Sequence, residues 1–218
     1  MTIEDTGKDI KRDNDGNIIE WISRTWKCNA VSLPDKASKD LVELPNGKYA
    51  LDFHNNRYTI ERESLGSIGD IYKFMCVTFR VQVDEEQVIT STYSADDPDN
   101  PFYEISTTST EIKIHGLDDM GHPFSASIHH DTREWTTLFV EWMPCGETKE
   151  RCNFMINNDS STWGSFQDIT PTTELFDLSL GARFDDTKHL TGSISALEIY
   201  GKFPCTDPIP PSLQQLII

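Results

Sequence analysis

The sequence predicts an all-β fold, an antiparallel β-sandwich or jelly roll, on three observations. Helical periodicity is almost absent from the 218 residues, and residues 1–20 predict at most a short helix. Many short segments alternate apolar and polar residues, and turn residues separate them at short spacing. Hydrophobic residues make up 37% of the chain, which is enough for the core of one large sandwich domain.

Eight segments carry the strand pattern. In chain order they are KYALDF (48–53), IYKFMCVTFRVQV (71–83), EIKIHGL (111–117), PFSASIHH (123–130), TTLFVEWMP (136–144), RCNFMIN (151–157), LFDLSLGA (175–182) and LTGSISALEIY (190–200). The longest segment places Val77, Phe79, Val81 and Val83 on one face, because side chains alternate along a strand. CGETKE, between the fifth and sixth segments, is typical of a hairpin tip.

The two ends of the chain differ from the strand-rich middle. Residues 1–20 are polar, and four prolines between 204 and 211 precede the apolar stretch SLQQLII. Prolines cannot continue a central strand, so the tail predicts a linker into another element. The predicted organisation is an N-terminal polar extension over 1–20, the sandwich domain over 21–203 and a Pro-rich tail over 204–218.

The chain is strongly acidic, with 36 Asp and Glu against 19 Lys and Arg and a net charge of −17. This balance argues against nucleic acid as a partner, because phosphate binding needs a basic surface. No apolar run of about 18 residues is present, so we expect no membrane insertion. Residues 84–119 contain ten acids and only Lys113 as a basic residue. They form either a solvated face or an oxygen-rich surface for calcium.

The five cysteines leave two interpretations open. Cys145 and Cys152 flank a six-residue loop, so a disulfide across the base of that hairpin is expected. Cys28 and Cys205 lie near the two ends of the strand set, where the termini of sandwiches often approach each other, and are expected to pair as a clasp. Cys76 lies in mid-strand and is expected to be a buried free thiol. Two bridges would indicate an oxidising compartment, and the alternative is five reduced cysteines.

The final third of the chain resembles the laminin G-like or concanavalin A-like jelly-roll family. The resemblance is carried by TTLFVEWMP, then NFMINND, then LFDLSLGARFDDTKHLTGSISALEIYGKFP. Its closing strand is LTGSISALEIY, with Leu190 in place of the usual aromatic residue, and LPNGKYALDFHNNRYTI (44–60) resembles the early strand. The likeness runs from Trp21 to Phe203. It implies that the closing strand returns beside the first one, in the middle of a sheet.

The resemblance also implies which residues an enzyme of this fold would need. Glycoside hydrolases of this fold place carboxylates along one strand, as Glu-x-Asp-x-Glu. Here Glu61 and Glu63, or Asp97 and Asp99, supply only two acids, and the second pair flanks a proline. No nucleophile elbow, zinc-protease motif or phosphate loop is present. We therefore expect a protein that is not an enzyme.

Calcium is the cofactor that the resemblance implies, held at one rim of the sandwich by loop aspartates. The candidate ligands lie in SADDPDNP (94–101) and RFDDTKHLTG (183–192), and they are Asp96, Asp97, Asp99, Asn100, Asp185 and Asp186. Hard oxygen ligands in flexible loops suit calcium better than zinc. The alternative is turn chemistry, in which Asp and Asn cap their own backbone.

Lectin-like members of the family stack a sugar on an exposed aromatic ring. Trp163 is the leading candidate here, because it follows a polar turn and precedes a glycine, and Tyr93, Phe102 and Tyr103 are further candidates beside predicted loops. The alternative is a tryptophan folded over the edge of the sandwich. Asn158 begins an N-glycosylation triplet in a predicted turn.

The function expected from these features is non-catalytic. We expect an extracellular module, excised from a larger protein, that recognises a glycan or a partner protein with the help of calcium. The alternative is an acidic structural or matrix protein, or a self-assembling fibre, shell or adhesin. Such a protein would use its acidic face and would self-associate through its C-terminal tail.

Overall fold

The computed structural model describes residues 1–23, 29–61, 74–94, 97–118, 120–144, 150–157, 159–169 and 177–200. Within these residues sixteen strands form two antiparallel sheets, and no helix is present. No described segment therefore provides a helix long and apolar enough to cross a membrane. The predicted all-β sandwich is confirmed.

The two sheets contain nine and seven of the described strands. In spatial order the nine-stranded sheet consists of β1 (Ile10–Arg12), β2 (Ile18–Trp21), β3 (Ala30–Ser32), β6 (Tyr58–Ile60), β15 (Leu178–Leu180), β8 (Gln87–Ser94), β9 (Asp97–Thr107), β10 (Glu111–Leu117) and β11 (Pro123–His129). The seven-stranded sheet consists of β14 (Asp159–Ile169), β13 (Glu150–Ile156), β12 (Thr136–Pro144), β7 (Phe74–Val81), β16 (Thr191–Tyr200), β5 (Tyr49–His54) and β4 (Leu41–Glu43).

The core lies between the sheets, where alternate residues of each strand point inward. Its largest fully buried side chains are Trp21, Tyr58, Phe53 and Phe79. The rings of Phe53 and Tyr58 meet edge to face, with centroids 5.8 Å apart. Burying each large apolar side chain contributes about 1.5–3 kcal/mol, so this layer supplies most of the stabilisation of the sandwich.

The closing strand β16 lies inside the seven-stranded sheet, between β7 and β5. This position confirms that its apolar residues face the sandwich interior, as Ile194 and Leu197 do in the core. The chain start also reaches this strand, because Thr2 forms an isolated bridge with Ala196. Ser193 is fully buried, and its hydroxyl donates to Asp52 Oδ1 at 3.0 Å.

Residues 1–20 are part of the sandwich, which corrects the predicted polar extension and its short helix. They contain β1 and β2 of the nine-stranded sheet, and Ile3, Ile10 and Ile18 belong to the hydrophobic core. The physical reason is that three isolated isoleucines suffice to anchor short strands inside otherwise polar sequence. The predicted tail, 204–218, lies outside the described residues.

The described cysteines are both free and buried. Cys76 is a free thiol, as predicted. Cys152 is also a free thiol, so the predicted bridge to Cys145 is not formed in this structure. The register of β12 and β13 places Cys152 opposite Trp142, and its side chain lies in the core. Burial raises the pKa of both thiols, which keeps them protonated.

The remaining cysteine predictions concern residues that the structure does not describe. Cys145, and the predicted clasp between Cys28 and Cys205, lie outside the described residues. The same holds for the glycosylation candidate Asn158.

Candidate functional site

The predicted aromatic ligand site is not formed by Tyr103. This side chain is only 4% exposed and lies in the core, where its hydroxyl donates to Met75 Sδ at 3.2 Å. Trp163 lies within β14, at an edge of the seven-stranded sheet, rather than in a loop. Tyr93 and Phe102 lie in β8 and β9, and the side chains of these two residues and of Trp163 lie outside the described part of the chain.

The first predicted calcium loop is mostly strand. Asp97, Asp99 and Asn100 lie in β9, and Asp96 is outside the described residues. β8 and β9 pair irregularly here, with register shifts on both sides of Tyr93. Bulges of this kind accommodate prolines, which is why a stretch rich in proline and aspartate can extend a strand.

The second predicted calcium loop uses its carboxylates internally. Asp185 Oδ1 accepts hydrogen bonds from the backbone N–H of Thr187 at 3.2 Å and from its hydroxyl at 2.6 Å. Asp186 Oδ2 lies 2.9 Å from Lys36 Nζ, and its backbone carbonyl lies 2.7 Å from His189 Nε2. Both carboxylates therefore serve turn and ion-pair roles in this arrangement.

The two predicted loops also lie at opposite ends of β8. Val88 N–H donates to the carbonyl of Lys188 at one end, and Ser94 pairs with Asp97 at the other. At roughly 3.3 Å per residue, these ends are separated by about 20 Å. One ion cannot be shared by the two loops. Among the described residues, no group of three His, Cys, Asp or Glu side chains is placed to hold a metal.

A continuous row of mostly polar residues instead crosses the outer face of the nine-stranded sheet. Each member is the cross-strand partner of the next, and each alternates with residues that point into the core. From one edge to the other the row is Lys11, Glu20, Val31, Thr59, Ser179, Ser91, Glu104, His115 and Ser125. We call it the outer row.

The middle of the outer row is buried under the loop formed by residues 181–189. Glu104 is 0% exposed, and its carboxylate lies 3.2 Å from Arg183 Nε and 3.2 Å from His115 Nε2. Ser179 donates to the carbonyl of Ala182 at 2.8 Å and thereby fixes the start of this loop. The Arg57 side chain donates to the Ser179 hydroxyl at 3.1 Å. This half of the row is therefore closed by internal contacts.

The other end of the outer row opens into a cleft of about 580 Å³. Its walls combine residues of β1 to β3 with the loop formed by residues 33–39, which we call the roof loop. The lining residues are Lys11, Asp13, Asn17, Ile19, Glu20, Val31, Ser32, Leu33, Pro34, Asp35, Ala37 and Lys39. A cleft of this volume is within the range of small-molecule binding sites.

The roof loop is held in place by hydrogen bonds to its surroundings. Leu33 N–H donates to the carbonyl of Arg57 at 3.2 Å, and Arg57 N–H donates to the carbonyl of Lys36 at 3.1 Å. The buried Tyr58 hydroxyl accepts from Ser38 N–H at 3.0 Å and donates to the carbonyl of Ile18 at 2.7 Å. Burial raises the pKa of Tyr58 to about 12, so this donor remains protonated. The cleft is therefore pre-formed.

One wall of the cleft is fixed by its own polar contacts. Asn17 Nδ2 donates to Asp13 Oδ2 at 2.7 Å, and this bond lowers the pKa of Asp13. Asn29 Nδ2 donates to Glu20 Oε1 at 2.6 Å, and Lys11 Nζ lies 3.9 Å from Glu20 Oε2. These groups hold the wall in a single arrangement.

Another part of the cleft lining presents polar groups that can meet a ligand. The side chains of Ser32, Asp35 and Lys39 make no hydrogen bond or ion pair with any described residue, and the charge of Lys39 helps to lower the pKa of Asp13. Val31, which is 45% exposed, and Pro34 provide an apolar surface beside them. An apolar floor with a few convergent polar groups is the usual composition of a binding site.

The cleft could not be predicted from the sequence, because the segments that form it are short. Ile19 and Glu20 lie at a bulge between β1 and β2, which the register shift between Lys11 and Arg12 records. Asp35 adopts a φ of 61°, so LPDK forms a tight turn between strands. An exposed valine in a three-residue strand and a Pro-Asp turn were the only local indications of this site.

Comparison with known proteins shows similarity in fold. No family model and no curated protein sequence matches the chain. The receptor binding domain of botulinum neurotoxin D is matched at a TM-score of 0.55 and 12% identity, over 94% of this chain and 52% of that one. The binding domain of serotype G is matched at 0.52 and 12% identity, over 89% and 47%.

A third similar structure is that of botulinum neurotoxin type C, whose cell entry is dependent upon interaction with two ganglioside molecules. It is matched at a TM-score of 0.53 and 12% identity, over 94% of this chain and 51% of that chain. The chain thus spans about half the length of the toxin structures that it matches. At these identities the likeness concerns the fold alone, and the chain is an antiparallel β-sandwich with a jelly-roll fold.

Proposed function

We propose that this chain is a non-catalytic extracellular binding module of the laminin G-like kind, and that it recognises a glycan in the cleft under the roof loop. The observation that carries the proposal is the pre-formed cleft with unpaired Ser32, Asp35 and Lys39 along one wall. A rigid site loses little conformational entropy when it binds, so even a few hydrogen bonds give useful affinity.

The chemistry of the cleft favours a neutral, hydroxyl-rich ligand. Asp35 offers an acceptor, Lys39 a donor and Ser32 both, and sugar hydroxyls can satisfy each of these groups. Val31 and Pro34 can contact the apolar face of a sugar ring. A sulfated glycan is disfavoured, because the chain carries a net charge of −17.

The structural relatives are consistent with this function. They include receptor-binding domains, and for one of them cell entry depends on gangliosides, which carry glycan headgroups. The laminin G-like assignment rests on the closing motif LTGSISALEIY and on the early segment 44–60.

The cleft is tested with the double variant Asp35→Asn, Lys39→Met. Asparagine tolerates the positive φ of residue 35, and methionine keeps the stem of Lys39, so the fold should be retained. We expect at least about a tenfold loss of glycan retention, because the variant removes two polar groups that line the cleft. The measurement is titration of the strongest wild-type ligand from a broad glycan array.

The matched control changes the same charges outside the cleft. In Glu85→Gln, Lys8→Met both side chains are exposed, and neither lines the cleft. This variant should bind like wild type. Silence of the wild-type protein on the array, or equal losses in both double variants, would refute the glycan site.

Calcium binding is a separate proposal, and it concerns the segment 94–101 alone. Asp97 and Asp99 belong to β9, which pairs with β8 at Ser94, whereas Asp185 and Asp186 make internal contacts. A ligand that binds only the folded state raises the unfolding midpoint. Calcium should therefore raise the midpoint by several degrees, and excess chelator should reverse the rise.

A control variant assigns any calcium effect to this segment. Asp97→Asn, Asp99→Asn should abolish the shift, whereas Asp185→Asn should retain it. An unchanged midpoint of the wild-type protein in calcium would leave the acidic segment as a solvated surface.

A further inference from the structure

The strand β11 forms one edge of the nine-stranded sheet, and no strand in the described part of the chain pairs with its outer side. It pairs with β10 over seven consecutive residues and without a bulge. At 3.3 Å per residue, this edge is about 23 Å long. Its one proline, Pro123, is its first residue, so the rest of the strand keeps its N–H groups. β14, the edge strand of the other sheet, lies near β11 but does not pair with it.

The backbone groups on the free side of β11 belong to Ser125, Ser127 and His129. The N–H of His130 donates to the carbonyl of Thr110 at 3.0 Å, beside the start of β10. Backbone groups alternate in direction along an antiparallel strand, so these three residues point their N–H and C=O groups away from β10. All three residues are exposed, and no hydrogen bond outside the strand ladder joins them to another described residue. The edge therefore presents three unused donors and three unused acceptors.

β11 also lacks the features by which edge strands usually avoid pairing, which are charged side chains, bulges and very short length. The other three described edge strands have such features. β1 and β4 contain only three residues each, with Lys11 and Arg12 in the first and Glu43 in the second. β14 contains Asp159 and Asp168, and its pairing with β13 is irregular. An uncharged and regular edge of this length is a template for a further strand.

The charge of the molecule favours a second copy of the chain as the partner of this edge. The net charge is −17, so two copies repel each other over most of their surfaces. β11 contains no Asp, Glu, Lys or Arg, so two copies that meet here bring no like charges together. A charged foreign peptide finds no opposite charge on this strand to select it. In antiparallel pairing with full overlap, Ser125 of one copy faces Ser127 of the other, and these small side chains let the strands approach.

We propose that β11 pairs antiparallel with β11 of a second copy and joins the two nine-stranded sheets into one continuous sheet. The pairing is symmetric, so it closes as a dimer and uses up this edge in both copies. The cleft lies at the other end of the same sheet, beside β1 to β3, so the dimer keeps two open clefts at its far ends. A ligand with repeated units gains avidity from two such sites, whereas the pairing itself does not depend on what the cleft binds.

Analytical ultracentrifugation of the full chain tests the dimer without any variant. The average mass should rise from one chain toward two between about 1 μM and about 1 mM, because a single strand pair is a small interface of modest affinity. Over the same range, amide hydrogen exchange at Ser125 and Ser127 should slow by at least about tenfold, because their N–H groups become hydrogen-bonded. A protein that stays monomeric throughout this range overturns the proposal, and so does a dimer that leaves exchange at these two residues unchanged.

Two double variants with opposite charges test whether the partner is a second copy. Ser125→Lys, Ser127→Lys and Ser125→Glu, Ser127→Glu should each stay monomeric, because like charges then face each other across the symmetric pair. The lysine variant reduces the net negative charge, so general repulsion cannot explain its loss of the dimer.

An equimolar mixture of the two charged variants should recover the dimer, because each lysine then faces a glutamate. The matched control is Ser125→Ala, Ser127→Ala, which keeps the backbone groups and should dimerise like wild type. If each charged variant still dimerises alone, or if their mixture stays monomeric, β11 does not pair with a second copy.

Discussion

Gly192→Ala should destabilise the protein by about 3 kcal/mol or more, because the strand has no space for a methyl group at this position. A Cβ on residue 192 would lie 2.2 Å from the carbonyl oxygen of Arg80 and 3.0 Å from Val81 Cα. Both are backbone atoms of the neighbouring strand β7 and cannot rotate away. Relief requires β16 and β7 to separate in the middle of the seven-stranded sheet.

Urea unfolding monitored by tryptophan fluorescence measures this loss. The matched control is Gly7→Ala, where a Cβ would meet only the side-chain oxygen of Asp5, at 3.3 Å, and neither glycine has a positive φ. The control should stay within about 1 kcal/mol of wild type, since an exposed side chain can move. A Gly192→Ala protein that unfolds at the wild-type urea concentration would contradict this account of the closing strand.

The alternation of Gly192, Ile194 and the residues that follow also shows how much a pattern can predict. The sequence located β10, β12 and β16 to within one residue. In β10 one face is buried, so a wrong register would expose its apolar residues. In β12 and β16 residues on both faces are buried, so their length and apolar content rather than strict alternation indicated the strands.

Several strands of three or four residues escaped the same reasoning. β1 and β2 carry Ile10, Ile18 and Trp21 into the core, yet polar residues surround them and no run of alternation is long enough to recognise. β9 was hidden for another reason, because the prolines and aspartates of 94–101 are typical of turns. Cross-strand pairing with β8 overrode that local preference.

The binding surfaces depend on contacts that sequence order does not contain. The cleft brings together Lys11 of β1, Val31 of β3 and Lys39 of the roof loop, which are not neighbours in the sequence. On the seven-stranded sheet, the contact between Arg80 and Trp135 joins β7 to the residue that precedes β12. Local sequence predicts many of the strands and turns, whereas the order of strands in the sheets decides which residues meet and which are buried, as Tyr103 and Glu104 are.

The buried part of the outer row depends on Arg183, and Arg183→Met should cost about 3 kcal/mol. Glu104 is fully buried, and its Oε2 lies 3.2 Å from Arg183 Nε. Removal of the cation leaves the buried carboxylate with His115, at 3.2 Å, in place of its arginine partner, which is more costly than the loss of an exposed pair. Arg133→Met is the control, because both Arg133 and Asp84 are largely exposed, and it should cost less than about 1 kcal/mol.

The double variant Arg183→Met, Glu104→Gln tests whether the buried carboxylate is the source of this cost. Adding Glu104→Gln to Arg183→Met removes the buried charge and should recover much of the lost stability. If the double variant is no more stable than Arg183→Met at pH 7, the carboxylate is not the source of the cost.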